Sequence, residues 1–367
     1  VDMLFGDILG NNKLYAGLAL NGEIQDIAGQ ASYINQKNRI NWGISLSHIP
    51  YQSGNYIQDA DFEPKIEQTL DGTQYVGYQD YLLIDRLFQE RLGLFTFYPL
   101  SATRRFEAGG AYEFYHQRRD VYYLYLDSYG RQIGQEKKKI STEPGFGFSN
   151  VNAAFVSDNS NFGLTAPLQG HRARIGVEQY FGAYQFSTLL LDGRRYFRLK
   201  PLTLAVRGLA YGRFGQDTEA FTAISPLFVG NPWFVRGYNK QEVYTADSTL
   251  FDQTVGSKIG VANFEIRLPF TGPRRLSLIN SRFLVTDLNL FFDAGIAINK
   301  KSDLNPEDPD PGNGLAHLQH KPILSTGISL RVNLFGALVL EPYFALPLSV
   351  KPENRNWTFG LNFVPGW

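Results

Sequence analysis

A lone arginine stands among aromatic residues in the stretch NPWFVRGYNK, residues 231–240. The stretch is too short and too irregular for a membrane-crossing strand, so the sequence predicts a loop there. The planar guanidinium of Arg236 can hydrogen-bond two carboxylates at once. Gly237 beside it permits a tight turn or a close approach to a wall. These residue types predict a loop that is held in position by a charge pairing with carboxylates elsewhere in the chain.

The elements that must position those carboxylates are strands. In GVANFEIRLPF, residues 260–270, apolar side chains share one face and polar side chains share the other. The same alternation recurs in four later segments, which indicates half-buried strands. The polar faces carry charges: Glu265, Arg267, Asp293, Arg331 and Glu341. Alternation alone leaves open whether the apolar face lies inside a soluble all-β protein or outside, against a bilayer.

Three features favour a barrel in a bilayer. The strands are about 10 residues long, as a tilted membrane strand requires. Aromatic residues cluster at strand ends, as they do at membrane interfaces, and the chain ends in an alternating aromatic strand, NWTFGLNF. About fifteen candidate strands are visible, and closed bacterial barrels have even numbers. We therefore expect an all-β fold, a transmembrane antiparallel β-barrel of 16 strands, with an outer loop folded inward.

Composition agrees with this fold class. Lysine plus arginine and aspartate plus glutamate are equal at 35 each, so no net charge attracts nucleic acid. Aromatic residues make up 14% of the chain, which suits sheets. Cysteine is absent, which favours passage through an oxidising compartment. No apolar run approaches the roughly 20 residues of a membrane helix.

The chain shows no linker, so we expect one barrel domain over residues 1–367 and one barrel per chain. Nothing at Val1 resembles a signal peptide, which predicts a processed chain or the C-terminal part of a longer precursor. Polar stretches predict loops at 51–74, 127–145, 216–224, 240–256 and 300–321.

Enzyme motifs are missing from the sequence. It contains no G-x-S-x-G, no H-E-x-x-H and no phosphate loop. His317 and His320 are three residues apart in a polar loop, and the acidic stretch 303–314 lacks the glycine and the last glutamate of a calcium-binding loop. We expect no enzymatic activity, no cofactor and no metal, with an outer-membrane lipase or protease as the alternative.

The order of motifs from residue 231 onward resembles the BamA/TamA superfamily of outer-membrane assembly and secretion factors. In that family a V/I-R-G-F/Y tetrad lies on the sixth outer loop, which folds back into the barrel. Five strands follow it, the first with an inward glutamate and the second with an F-x-D-x-G pattern. The matching residues here are Val235, Arg236, Gly237 and Tyr238 for the tetrad, Glu265, and Phe291, Asp293 and Gly295.

We call Val235–Tyr238 the latch. Arg236 is expected to reach Glu265 and Asp293 in the barrel lumen. Trp233, Phe234 and Tyr238 are expected to pack against the inner wall and shield the charges from water.

A second expected feature is the seam between the first and last strands. The last strand contributes Trp357, Phe359, Gly360, Leu361 and Phe363, and the resemblance implies that it is recognised during membrane assembly and that the seam opens sideways. Gly360 could mark a bend or bulge that weakens pairing. The alternative, that Gly360 makes room for a neighbouring side chain, stays open.

The resemblance implies an outer-membrane protein that inserts, translocates or displays polypeptides. Its implied partners are outer-membrane lipids and polypeptide clients, or a fused or associated periplasmic domain. The N-terminal part is similar to a branch in which the barrel follows a TolB-like propeller. POTRA repeats are not recognisable in the sequence, and residues 364–367 follow the strand that often ends the family's chains. The alternative function is a passive channel or structural porin with the latch as a plug.

Overall fold

Strands make up most of the chain in the computed structural model. It describes residues 1–20, 26–58, 66–70, 73–127, 129–219, 225–238, 248–281, 283–299, 320–334, 336 and 338–363. The strands of the N-terminal part are β1 (Asp2–Gly6), β2 (Asn12–Leu20), β3 (Ile27–Asn35), β4 (Asn41–Ile57), β5 (Ile66–Leu70), β6 (Thr73–Ser101), β7 (Arg104–Leu126), β8 (Gln132–Ile140) and β9 (Phe146–Asp158).

The C-terminal part continues with strands and two short helical segments. The strands are β10 (Asn161–Phe162), β11 (Pro167–Gly182), β12 (Phe186–Leu199), β13 (Leu202–Gly215), β14 (Leu227–Phe228), β15 (Val255–Gly256), β16 (Lys258–Gly272), β17 (Ile279–Asn280), β18 (Val285–Ile298), β19 (Ile323–Leu334), β20 (Leu338–Pro347) and β21 (Thr358–Phe363). Helix α1 covers Ser248–Gln253, and Pro352–Asn354 forms a 3-10 turn. Neither segment, nor any other helix in the described ranges, has the length and hydropathy to cross a membrane.

Contacts divide the chain into two compact units. Unit 1 comprises Val1–Phe97, Gly109–Val151 and Phe181–Ala183, and unit 2 comprises Tyr98–Ala108, Asn152–Tyr180 and Tyr184–Trp367. In unit 1, antiparallel pairs join β1 to β2, β2 to β3, β3 to β4, β4 to β6, β5 to β6 and β7 to β8. In unit 2, they join β11 to β12, β12 to β13, β13 to β16, and β16 through β18, β19 and β20 to β21. The all-β antiparallel prediction is confirmed, whereas closure with 16 strands and a single barrel domain stay predictions.

Two stretches that the sequence predicts as loops contain strands instead. β4 continues to Ile57 and β5 follows it, inside the stretch 51–74. β8 occupies much of 127–145 and pairs with β7 from Arg119 to Leu126. In β8, and in the part of β4 beyond Pro50, polar side chains stand on both faces, so hydrophobic alternation gives no signal there. Most of 300–321 lies outside the described residues, and α1 and β15 end the stretch 240–256.

The faces of the unit 2 strands are inverted relative to a soluble protein. On β18, Leu288, Leu290 and Phe292 are exposed, whereas Asn289 and Asp293 on the opposite face are fully buried. A soluble all-β protein requires the reverse, since removal of apolar surface from water drives its folding. An apolar outer face over a polar interior is the arrangement of a membrane barrel wall.

Candidate functional site

The latch lies in the long connection between β13 and β16 and is shaped by local hydrogen bonds. The carbonyl of Asn231 accepts from the backbone N–H groups of Phe234 at 2.8 Å and Val235 at 3.0 Å. Gly237 has φ +91°, a conformation that side chains other than glycine rarely adopt. A Cβ at Gly237 would also lie 2.9 Å from the Cβ of Ala345. The glycine is therefore required both by the turn and by the close approach of the loop to β20.

Apolar packing fixes the two ends of the latch. Val235 and Tyr238 are 0% and 1% exposed. The Tyr238 hydroxyl donates to the carbonyl oxygen of Leu324 at 2.6 Å. Their shared core contains residues of the same connection and of the strands around it: Leu209, Val229, Leu250, Ile259, Val261, Ala297, Ile323 and Val350. The loop therefore has a small hydrophobic core of its own against the strands.

Arg236 binds Asp293 of β18 through three hydrogen bonds. Its Nε lies 2.7 Å from Asp293 Oδ2 and its Nη2 lies 2.9 Å from Oδ1, so the guanidinium fork and the carboxylate face each other. The backbone N–H of Arg236 also donates to Oδ2, at 3.2 Å. The two side chains are 3% and 0% exposed. Bidentate contacts of this kind fix geometry as well as contributing energy.

Two further carboxylates and a ring surround the same guanidinium. Nη1 lies 2.9 Å from Glu265 Oε1 and 3.5 Å from Glu341 Oε1. The Cζ atom lies 3.6 Å from the centre of the Phe291 ring, within cation–π range. Burial alone would lower the pKa of Arg236, but Asp293 and Glu265 outweigh it and raise that pKa above its ordinary value. Arg236 is therefore a permanent cation that links β16, β18 and β20.

The network continues beyond the latch. Arg267 Nε lies 2.8 Å from Glu265 Oε2. Arg331 on β19 lies 3.1 Å from Glu265 and 3.2 Å from Glu341. We call the resulting set the latch cluster: Arg236, Arg267, Arg331, Glu265, Asp293 and Glu341. The three cations match the three carboxylates, and every member is at most 3% exposed.

The contact of Arg236 with Glu265 and Asp293 is the one that the sequence suggests, whereas Glu341, Arg267 and Arg331 were not expected as its companions. A signal for them exists in the sequence, because Glu341, Arg267 and Arg331 all lie on the polar faces of alternating strands. Sequence could not show which of these charges converge.

Phe291, Asp293 and Gly295, which match the F-x-D-x-G pattern on β18, each contact the connection between β13 and β16. Phe291 lies under the guanidinium of Arg236, and Asp293 binds it. A Cβ on Gly295 would lie 2.6 Å from methyl groups of both Val229 and Val235. The pattern thus supplies an aromatic ring (Phe291), a carboxylate (Asp293) and, at Gly295, room for the methyl groups of Val229 and Val235.

Side chains of β13 and β16 also donate hydrogen bonds to the backbone of the connection that contains the latch. Arg207 Nη1 donates to the Trp233 carbonyl at 2.9 Å, and Asn263 Nδ2 donates to the Phe234 carbonyl at 2.7 Å. The Phe234 ring packs against the core of the connection. Trp233 differs from the sequence expectation because its side chain is 53% exposed. Its contribution is a backbone oxygen, which no side-chain pattern could reveal.

A second segment contacts the same strands near their other ends. The Thr165 hydroxyl donates to Asp287, near the start of β18, and both side chains are buried. Arg267 donates to the Pro167 carbonyl at 3.3 Å. Asn333, near the end of β19, donates to the Leu164 carbonyl. Residues 164–167 and the latch therefore bracket the latch cluster along the strand direction.

The apolar face of β21 is exposed. Phe359, Leu361 and Phe363 on β21, and Trp357 just before it, are 61%, 45%, 60% and 59% exposed. A Cβ on Gly360 would overlap the ring of Tyr343 on β20. Of the two interpretations of Gly360, the structure supports room for a neighbouring side chain. Sideways opening of the seam stays a prediction.

No protein-family model matches the chain, and no curated protein matches its sequence. Among solved structures it is similar to BamA from Haemophilus ducreyi lacking POTRA domains 1–3, with a TM-score of 0.51 and 13% identity over 95% of this chain and 68% of that chain. It is also similar to CdiB from Acinetobacter baumannii, with a TM-score of 0.51 and 13% identity over 99% of this chain and 55% of that chain. The chain thus spans about half the length of CdiB. At this level of identity the likeness establishes the architecture: the chain has the fold of BamA and CdiB.

Proposed function

We propose that this chain is an integral outer-membrane β-barrel of the BamA/TamA type that inserts, translocates or displays polypeptides. The observation that carries the proposal is the buried contact of Arg236, from a loop, with carboxylates of three strands in a chain with the fold of BamA and CdiB. The exposed apolar faces of the strands support the membrane location. The proposal assigns no catalytic chemistry, cofactor or metal to the chain.

The latch has the properties of a positioning device. Buried ion pairs contribute little net stability, because desolvation offsets their attraction, but they strongly disfavour other arrangements of the same groups. A loop held by its arginine, its backbone and its own core has one preferred position. In a polypeptide-handling barrel such a loop would keep the lumen closed until a client displaces it.

The polypeptide activity would use the seam between β1 and β21. If that seam opens, the unpaired backbone groups of an edge strand can pair with an incoming strand. The expected partners are outer-membrane lipids, polypeptide clients and a fused or associated periplasmic domain.

Cysteine pairs test this proposal directly, because the chain has no cysteine of its own. One cysteine would be placed in β1 and one in β21, across a series of registers, and oxidised in vesicles that contain the full chain. The readout is the rate at which a small unfolded outer-membrane protein inserts into those vesicles. Oxidation should stop insertion, and reduction should restore it. If a fully cross-linked seam leaves the rate unchanged, the seam is not the route.

The alternative is a passive outer-membrane channel or structural porin with a lumen plugged by the latch. It is favoured by the bracketing of the latch cluster by the latch on one side and residues 164–167 on the other. Conductance across a planar bilayer separates the two functions. Large, steady conductance from the intact chain would show an open pore and contradict the plug. A barrel that conducts only after Arg236→Ala, and that promotes no insertion of clients, would favour the plugged channel. A closed barrel that promotes insertion of clients would favour the first function.

A further inference from the structure

Residues 164–167, which we call the strap, form the tip of the hairpin that joins β9 to β11. Phe162 of β10 is paired with Pro167, and the Gly163 N–H donates to the Ala166 carbonyl at 2.8 Å. Backbone hydrogen bonds therefore close the tip. Connections of this kind usually lie on the protein surface, but Thr165 and Ala166 are only 8% and 2% exposed. Other parts of the chain must cover them.

The strap contacts strands that are not neighbours of β11. Its backbone carbonyls accept hydrogen bonds from Arg267 of β16 and Asn333 of β19. The Thr165 hydroxyl donates to Asp287 of β18. In the sheet, β12 and β13 lie between β11 and β16, and neighbouring strands are about 5 Å apart. The strap therefore crosses from β11 to β16, β18 and β19 over one face of the sheet.

That face is the one that carries the latch cluster. Asp287 is six residues from Asp293 on β18, and Asn333 is two residues from Arg331 on β19. Even separations place side chains on the same face of a strand, and six residues span about 20 Å. The strap and the latch therefore lie on one face, at opposite ends of the same strands.

The charges between these two segments are covered at both ends. Arg331 is the direct strand partner of Asp287, so it is level with the strap and not with the latch. Arg331 and Arg267 are nevertheless only 0% and 1% exposed. Water would hydrate such charges if the interior were open at this end. Their burial therefore indicates that the strap excludes water there, as the latch does at the other end.

We propose that the strap is a second closure of the barrel interior, so that the latch and the strap block one path in series. They are held by different residues of the same strands: the strap by Arg267, Asp287 and Asn333, and the latch by Glu265, Asp293 and Glu341. Either segment can therefore leave while the other stays. The inference goes beyond the proposed function, because it requires the barrel fold and not the polypeptide activity.

Thiol labelling in detergent micelles measures whether the strap leaves its site. Ala166→Cys gives a single buried reporter in a chain without cysteine, and it should label slowly. Adding Thr165→Val removes the donor to Asp287 at nearly constant volume. Labelling should then be about tenfold faster, because a buried acceptor without its donor disfavours the closed arrangement.

Two further variants control this measurement. Thr165→Ser keeps the hydroxyl, so Ala166→Cys should again label slowly beside it. Thr254→Val removes another buried hydroxyl of unit 2, which donates to the Phe251 carbonyl at 2.6 Å, and should leave the rate unchanged. Fast labelling without Thr165→Val, or equal acceleration by Thr254→Val, would show that these contacts do not hold the strap in place.

Planar-bilayer conductance tests whether the strap obstructs the interior. Thr165→Val and Arg236→Ala should each raise the conductance modestly, and the double variant should raise it by more than the sum of the two increases, because closures in series must both open. Heat-dependent gel mobility shows that each variant is folded. Additive increases, or no effect of Thr165→Val beside Arg236→Ala, would overturn the second closure. Failure of the native chain to promote insertion of clients would contradict only the polypeptide activity.

Discussion

Two buried arginines, one in each unit, bind pairs of carboxylates in different structural settings. Arg236 of unit 2 belongs to a loop and binds Asp293 and Glu265 on separate strands. Arg86 of unit 1 belongs to β6 and binds Asp26, just before β3, and Asp120 on β7. Both arginines are at most 3% exposed. The same chemistry therefore joins a loop to strands in one unit and strands to each other in the second.

The difference lies in what each arginine restrains. Without its contacts, Arg86 would still be held in register by the pairing of β6 with β4. The latch has no strand partner, so its place depends on the latch cluster, on backbone contacts and on the small core around Val235 and Tyr238. The loop arginine should control position, whereas the strand arginine should control only stability.

The largest effect is expected for Arg236→Ala. It removes the cation that binds the fully buried Asp293 through three hydrogen bonds, whereas Glu265 keeps its contacts with Arg267 and Arg331. Leaving a buried carboxylate without its cation should lower the free energy of unfolding by about 3–5 kcal/mol. Urea unfolding of the detergent-solubilised chain measures the loss. Protease cleavage within residues 225–238 and bilayer conductance should both increase. The exposed Arg274→Ala in the same unit is the control and should change stability by less than about 0.5 kcal/mol.

A smaller effect is expected for Arg86→Ala, because Asp120 keeps its contacts with Arg118 and Lys137. Loss of charge-assisted hydrogen bonds should cost about 2–3 kcal/mol in the same urea measurement. Protease cleavage within residues 225–238 should not change. If Arg86→Ala exposes that segment as much as Arg236→Ala does, the contrast between a positional and a stabilising arginine is wrong.

Gly295→Ala tests the contribution of packing to the latch. The new methyl group would overlap Val229 and Val235, and overpacking of this kind costs about 1–3 kcal/mol. Trimming one neighbour should relieve it, so Gly295→Ala combined with Val235→Ala should lose less than the sum of the two single changes. Additive losses in this double-mutant cycle would show that the two residues do not share the space.

The smallest effect is expected for Trp233→Ala. Since its side chain is 53% exposed and its backbone oxygen remains, stability should change by less than about 0.5 kcal/mol. Arg207→Ala, which removes the donor to that oxygen, should have the larger effect on protease cleavage of the latch connection. A large loss for Trp233→Ala would restore the sequence-based view that its ring shields the charges.

Sequence reasoning reached the latch because its signal is local or periodic. Arg236, Glu265 and Asp293 stand out by residue type, motif and alternation. Arg86, Asp26 and Asp120 gave no comparable signal, since they are isolated charges in the N-terminal part. β8 and the end of β4 were missed for a related reason, because polar side chains stand on both of their faces.

Alternation in the sequence determined that the strands have one apolar and one polar face, because successive side chains of a strand point to opposite faces of the sheet. Only the tertiary structure decided which face is buried. It placed the charges of β16, β18, β19 and β20 together and the apolar side chains outside. It also decided that Glu341, Arg267 and Arg331 join Arg236, and that Trp233 contributes an oxygen instead of a ring. The physical reason is that convergence of side chains more than 100 residues apart depends on strand register and loop placement, as in the contact of Arg236 with Glu341, 105 residues away. Neither the register of the strands nor the placement of the loop is encoded in residue type or in local periodicity.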